Sequence, residues 1–516
     1  MLLSSINATH PFIINPQHRE NTRKGWRSNP KYERGVIKTT RTRHFVVKFA
    51  QNGNVFYRTA VNVTEKKVNK ITIRNIVVLW LVWVTAVIGF QALATSRLEP
   101  QRPDMLMWFP GDPTDVNFYQ QGHPYLLEPF MNNQVWVDSE FYLGISIGGY
   151  GNPCMMSTYT ADQGAQVSLV PCTDTQHSKA ELANKEITPV SYAFFPFYPL
   201  LIHLFSIVLN LLQLNPIATA TLAGVIVSAL GTLAAMLSLY DLTHETLGEE
   251  GGMRAVFYLL IFPTSFYFVQ VYTEGLFVGL AFTCLAMLKR RRLAYAALLA
   301  GAATLTRMVG VSLVIPLGIV WLRTYKPDLL KLDWARLDFK RLPRRILWHA
   351  LLALTPLIIY LIWQFSYYGA AFHYIETNFF GRPPLDIANG YNLWVGVFNK
   401  MIAGFFHLPD AYGQFVSAQF SANYLIEFSC MGIALLAIPL CLKSDPEVAW
   451  FSLAVFLIPL VSGPPGLGRY VLAAPALFIS LARWGKNPVF DRVWTLASLL
   501  VMGLLAMLFA FNFWVA

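Results

Sequence analysis

The sequence predicts an all-α polytopic membrane protein, on three observations. Of 516 residues, 55% are hydrophobic and only 13% are charged, where a soluble domain carries about 25% charged residues. Mean hydropathy is +0.43. Several runs reach the roughly 20 apolar residues that a helix needs to cross the hydrocarbon core. A bundle of such helices is its own core, so no separate soluble domain is needed for burial.

The net charge of +11 is unevenly placed: residues 1–74 hold 15 Lys and Arg against Glu20, Glu33 and Glu65. This basic extension precedes a hydrophobic run, so it is expected on the cytoplasmic side beside anionic lipid. Nucleic-acid binding, the other reading of a basic run, is not expected. The first residues do not read as a signal peptide. Alternation in "HFVVKFAQNGNVFYRTAVNV" fits a short hairpin.

The rest of the chain, 75–516, reads as one transmembrane domain. Residues 75–95 form the first expected span, placing the polar, acidic segment 96–192 outside. Residues 193–214, with the aromatic and proline cluster "FFPFYP", read as an interfacial or re-entrant segment. That choice leaves "KRRR" at 289–292 inside, as the positive-inside rule asks. Further spans are expected at 216–240, 254–271, 275–289, 294–307, 308–323, 347–366, 420–442, 447–462, 470–483 and 494–514. The total is about ten, with a large outer loop at 367–418. The N-terminus is then cytoplasmic, in a multi-pass protein of the cell (plasma) membrane. No internal repeat is visible.

Charges near a bilayer are expensive and mark sites when they converge. This topology gathers Asp138 and Glu140 from the first loop with Glu274, Arg307 and Arg469 at outer helix ends. Each has a plainer reading. Asp138 fits a helix N-cap, Glu140 a solvated neighbour, and Glu274 a first-turn acid favoured by the helix dipole. Arg307 and Arg469 fit residues that snorkel to the interface. Together, one carboxylate suits a general base toward a hydroxyl, and the arginines suit a phosphate. A phosphate leaving group needs no general acid, so the set fits displacement of a lipid phosphate from a sugar. The lone histidines His123 and His203 lack ligand partners, and no divalent metal or other cofactor is evident. Arg382 in "NFFGRPPLD" fits either a substrate contact or a turn. Cys154 and Cys172 share the outer loop and are a possible disulfide. Cys284, Cys430 and Cys441 read as packing residues.

Five stretches then resemble, in order, the PIG-V-type (GPI mannosyltransferase 2) family. "VDSEFYLGISIGGY" resembles its first-loop pattern of W-D, an aromatic pair, I-A and G-Y. "YAFFPFYPLL", "FPTSFYFVQVYTEGLFVGLAF", "LAGAATLTRMVG" and "GRYVLAAPALF" resemble its later elements. The resemblance implies a GT-C fold glycosyltransferase with interfacial helices in the first loop, and it fits a prokaryotic member. It implies transfer of a mannosyl (hexosyl) residue from a polyprenyl- or dolichyl-phosphate sugar, with inversion, to a glycan, lipid or protein acceptor. Asp138 is then the base, and Glu274 a ligand of acceptor or sugar. Tyr150, Tyr272 and Glu140 within the matching stretches join Arg307 and Arg469 as substrate-binding candidates. Three departures stand out: Trp136 lies one residue earlier than the pattern, with Val137 before the Asp; residues 151–190 form a long polar insert; and the basic extension is unusual. The rival readings are a transporter or flippase of lipid-linked sugars, which would place polar groups nearer mid-membrane, and a non-catalytic subunit of a glycosylation complex.

Overall fold

The computed structural model describes residues 44–51, 54–61, 70–97, 128–150, 157–160, 164–167, 187–329, 344–366, 369–370, 373, 387–409, 415–416, 418–462, 466–513 and 515. The chain divides into two units, Met1–Lys67 and Val68–Ala516. In the first, β1 (His44–Gln51) and β2 (Asn54–Val61) pair antiparallel, from His44 opposite Val61 to Gln51 opposite Asn54. The alternating stretch thus forms the expected hairpin.

The second unit is helical. In chain order come α1 (Lys70–Arg97), α2 (Asp138–Gly148), α3 (Phe197–Leu209), α4 (Pro216–Ile261), α5 (Glu274–Lys289), α6 (Leu293–Thr306) and α7 (Val314–Leu329). They are followed by α8 (Arg344–Ala353), α9 (Thr355–Gln364), α10 (Ile387–Phe405), α11 (Ala418–Ala437), α12 (Pro446–Ser462), α13 (Leu467–Leu472), α14 (Pro475–Trp484) and α15 (Pro488–Ala510). Between α2 and α3 lies a small antiparallel sheet in the order β4-β3-β5, from β3 (Ser157–Thr160), β4 (Gly164–Val167) and β5 (Ile187–Pro189).

Local sequence accounts for several boundaries. Two Asn-Pro pairs start helices. The Asn215 side chain accepts from the Ala218 amide (2.8 Å), and Asn487 accepts from Val489 (2.9 Å), with proline in the first turn of each helix. Both satisfy backbone donors that a helix start leaves unpaired, and proline there sacrifices no hydrogen bond. The 46-residue α4 is interrupted at Gly248, whose φ of 76° lies where side chains are disfavoured. The chain also breaks at Arg307, extended between α6 and the 3-10 turn Met308–Leu313.

The core lies where α4 meets α5 and the turn Phe262–Tyr272. Phe262, Phe266, Phe268, Phe277, Phe282 and Phe478 are fully buried there. Gly275 and Gly279 let the two helices approach closely: a side chain at Gly275 would strike the Ser228 carbonyl, and one at Gly279 the Gly231 carbonyl. Small residues four apart serve this purpose between membrane helices. The contact fixes the start of α5, and with it Glu274. Opposite the core, Val78, Val82, Val493, Leu496 and Leu500 on α1 and α15 are exposed, as expected of a surface in contact with lipid.

The protein is thus a multi-pass helical membrane protein. Among the described residues, five helices are long and apolar enough to cross a bilayer: Lys70–Arg97, Pro216–Ile261, Met308–Tyr325, Ala418–Cys441 and Pro488–Ala510. The α8–α9 pair, bent by 56°, makes a sixth if counted as one span. By that measure the expected ten are not reached, because several expected spans are short or broken. The run 254–271 leaves the helix after Ile261 and turns at Ser265–Val269, and 470–483 is split between α13 and α14. Prolines at 263 and 475 and the polar residues Thr264, Ser265 and Gln270 interrupt helices that composition alone reads as continuous.

Candidate active site

The approach to Asp138 is fixed by buried amides. Gln91 on α1 accepts through Oε1 from both Gln134 Nε2 (3.1 Å) and Gln270 Nε2 (3.0 Å), and donates to the Ala506 carbonyl (3.0 Å). The Gln134 carbonyl accepts from the Val271 amide (3.0 Å), and the Trp136 carbonyl from the Tyr272 hydroxyl (2.9 Å). Three distant segments are thereby joined beneath the start of α2. Val137, immediately before Asp138, has φ 49° and ψ −105°. A β-branched residue at positive φ is an outlier, which persists only where the surroundings over-determine it.

Asp138 does not cap its helix, contrary to the N-cap reading. Val137 is the N-cap residue and makes no side-chain cap bond, and Ser139 Oγ takes the Trp136 amide instead (3.1 Å). The Asp138 carboxylate is left to accept from Arg469 Nη1 at 2.9 Å. The same guanidinium nitrogen stands 3.8 Å from Glu274 Oε1. Glu274 is the first residue of α5, as the dipole reading has it, and pairs directly with Arg307, which also donates to Thr273 Oγ1 at 3.1 Å. The order is Asp138, Arg469, Glu274, Arg307: alternating charges drawn from four separate parts of the chain. Neither arginine snorkels, because each is held by a carboxylate inside the protein.

Aromatic faces back the arginines. The Arg469 guanidinium carbon lies 5.6 Å from the Tyr272 ring centre and 5.7 Å from that of Tyr267, and Arg307 lies 5.4 Å from Tyr470. At such distances ring quadrupoles attract a cation, more so where it is desolvated. Burial works against the Arg469 charge, but Asp138 and Glu274 outweigh it and hold the group above its ordinary pKa. Burial also pushes the Tyr272 phenol up, with Asp138 adding to the effect, so Tyr272 stays a neutral donor. The charges differ in access. The Glu274 side chain is 2% exposed, Arg307 and Arg469 17%, and Asp138 26%. Among the described residues, Glu274 Oε2 and Arg469 Nε are buried with no hydrogen-bond partner. The cluster thus holds one unused acceptor and one unused donor, in a setting where unpaired polar atoms are costly.

Of the other expected site residues, Tyr272 belongs to the cluster as the ring beneath Arg469. Glu140 differs from its expected solvated position: it is buried, because α2 packs against α3 and α4 around this turn. Tyr150 donates to the Phe194 carbonyl (2.8 Å), and Ser191 donates to the Tyr150 carbonyl (2.9 Å), which ties the end of α2 to the approach to α3. His203 Nδ1 meets the Ser146 carbonyl at 2.9 Å. Cys284, Cys430 and Cys441 are buried free thiols. Cys154, Cys172, His123 and Arg382 lie outside the described residues. Among the described residues, no three His, Cys, Asp or Glu side chains are grouped as a metal site.

Sequence reading missed the Gln91–Gln134–Gln270 junction, Tyr267 and Glu427. Glu427 lies in the candidate span Ala418–Cys441, is buried, and accepts from the Leu467 amide at 2.9 Å. The available signal was a single acid inside an apolar run, "NYLIEFSCMG".

No protein-family model and no curated protein matches this chain. Among solved structures, it is similar to an oligosaccharyltransferase of Archaeoglobus fulgidus, complexed with Zn and sulfate (15% identity, TM-score 0.32, 61% of this chain and 44% of that one). It is also similar to ArnT from Cupriavidus metallidurans bound to undecaprenyl phosphate (14%, TM-score 0.33, 73% of this chain and 74% of that one). A third likeness is the oligosaccharyltransferase AglB of A. fulgidus with an inhibitory peptide and a dolichol-phosphate (14%, TM-score 0.35, 82% of this chain and 56% of that one). The chain spans less than half of the first of these, and likeness at this level decides neither its fold family nor its activity.

Proposed function

We propose that this protein is a GT-C-type membrane glycosyltransferase. It would move a hexosyl residue, mannosyl by the motif resemblance, from a polyprenyl- or dolichyl-phosphate sugar to an acceptor hydroxyl on the extracytoplasmic face. One observation carries this reading: Asp138, the most accessible acid of the cluster, shares a guanidinium with buried Glu274.

In the transfer, the acceptor oxygen attacks the anomeric carbon from the face opposite the phosphate. The carbon–oxygen bond to phosphate breaks, the lipid phosphate departs with the electron pair, and the configuration inverts. Asp138 takes the acceptor proton. Arg469, with Arg307 behind it, holds the phosphate oxygens, so the leaving group needs no proton. Glu274 Oε2, an acceptor without a partner among the described residues, suits a sugar or acceptor hydroxyl. Arg469 pairs with Asp138. A phosphate that drew Arg469 away would free the base.

The test uses membranes containing wild type or Asp138→Asn at equal abundance, given radiolabelled polyprenyl-phosphate mannose. Label should move into membrane glycolipid, glycan or protein with wild type and fall at least ~10²-fold in the variant, the lower range for a general base. Equal transfer by both proteins removes Asp138 from the mechanism. Absence of transfer from the mannosyl, glucosyl and arabinosyl lipid phosphates alike contradicts the transferase reading.

A further inference from the structure

An acid inside a membrane-spanning helix is costly unless a partner holds it, and it commonly marks function. Glu427 on α11 is such an acid. Among the described residues it has no basic side chain within ion-pair distance. Its carboxylate is committed to backbone: Oε2 accepts from the Leu467 amide at 2.9 Å. Residues 466–468 form the turn that starts α13, and Arg469 follows directly.

The rest of the turn is equally constrained. Gly466 has φ 78°, and a side chain there would come within 3.3 Å of Arg469 Nη2. Thr264 Oγ1 donates to the Gly468 carbonyl at 2.7 Å, and a side chain at Gly468 would meet Thr264 Cγ2 at 2.7 Å. The Arg469 amide donates to the Gly466 carbonyl at 3.1 Å. Arg469 therefore leaves a turn held on one side by Glu427 and on the other by Thr264. It ends 2.9 Å from Asp138 and 3.8 Å from Glu274.

We propose that Glu427 is a positioning residue for Arg469: its carboxylate holds the Leu467 amide at the start of the turn and so aims the guanidinium between Asp138 and Glu274. The role of Arg469 toward a lipid phosphate rests on the function proposed above. The placement by Glu427 does not.

The experiment uses the full chain in detergent or membranes, with Glu427→Leu and Glu427→Gln. The first readout is the rate at which phenylglyoxal modifies Arg469, with Arg307 in the same molecule as internal reference. Arg307 is comparably shielded but does not leave this turn. In Glu427→Leu, Arg469 should react about 10-fold faster, equivalent to losing one hydrogen bond to a charged group, while Arg307 keeps its rate. Glu427→Gln, which retains one acceptor oxygen, should give a smaller rise, again confined to Arg469. Should the leucine variant fail to accumulate, the glutamine variant decides by the same criterion. An unchanged Arg469, or an equal rise at both arginines, overturns the proposal, since general loosening moves both. The second readout is binding of polyprenyl phosphate, which should weaken about 10-fold in Glu427→Leu by the same reasoning. Selective loosening of Arg469 in a protein whose wild type does not bind polyprenyl phosphate supports the positioning role and contradicts the lipid-phosphate reading.

Discussion

At each end of helix α5 two acids meet two bases, and the ends differ. At its start, Glu274 joins Arg307, Arg469 and Asp138 inside the protein. At its finish, roughly 24 Å away for 16 residues, Lys289 meets Glu245 at 2.9 Å and Arg290 meets Asp241 at 2.8 Å. An acid at the start and bases at the finish both match the helix dipole. The finish is more open, with Lys289 29%, Arg290 36% and Glu245 41% exposed, although Asp241 is only 12% exposed. Its pairs are the kind that contribute about 0–1 kcal/mol. Glu274, 2% exposed, has no such latitude. A buried ion pair is poor evidence of stabilisation, but breaking it leaves an uncompensated charge. The same count of acids and bases thus makes a more solvated helix end in one place and a buried cluster in the other.

Five substitutions break or sharpen this contrast, beginning with the largest effect. Asp138→Asn should lower transfer at least ~10²-fold, while Asp241→Asn, its counterpart at the far end, should leave transfer within about 2-fold, because it lies a helix length, roughly 24 Å, from the cluster. Next, Arg307→Ala should destabilise the protein by about 3 kcal/mol, because buried Glu274 loses its direct partner and keeps only Arg469, 3.8 Å away. Arg290→Ala should cost less than about 1 kcal/mol, and thermal unfolding in detergent compares the two. High salt should erode the second difference and spare the first, since screening acts on exposed charges. The smallest effect belongs to Val137→Gly: removing the side chain at a φ of 49° should leave stability unchanged or raise it by up to about 1 kcal/mol. A loss larger than that would mean that Val137 packing outweighs its backbone strain.

The sequence made the candidate site legible because its members are conspicuous. Asp138, Glu274, Arg307 and Arg469 are charges in apolar surroundings, and assigning helix ends to one side was enough to gather them. Their pairing was not legible, since Asp138 and Arg469 stand 331 residues apart and local pattern carries no such contact. Helix starts at Asn215 and Asn487 follow from Asn-Pro, and the close approach of α4 and α5 from "GLFVG", all local signals. Glu140 was misread because an acid two residues from a site resembles a solvated one until α3 and α4 cover it. The Gln91–Gln134–Gln270 junction is made of neutral amides, which composition does not distinguish from surface residues. Two expected spans, 254–271 and 470–483, are broken because hydropathy sums ignore the prolines and polar residues that turn the chain there.

Binding of radiolabelled polyprenyl phosphate to wild type, Asp138→Asn and Arg469→Gln is the most direct measurement. If Asp138 competes with a phosphate for the Arg469 guanidinium, Asp138→Asn should bind about 10-fold more tightly than wild type, because no carboxylate competes. Arg469→Gln should lose binding. Equal or weaker binding by Asp138→Asn, or undiminished binding by Arg469→Gln, would contradict it.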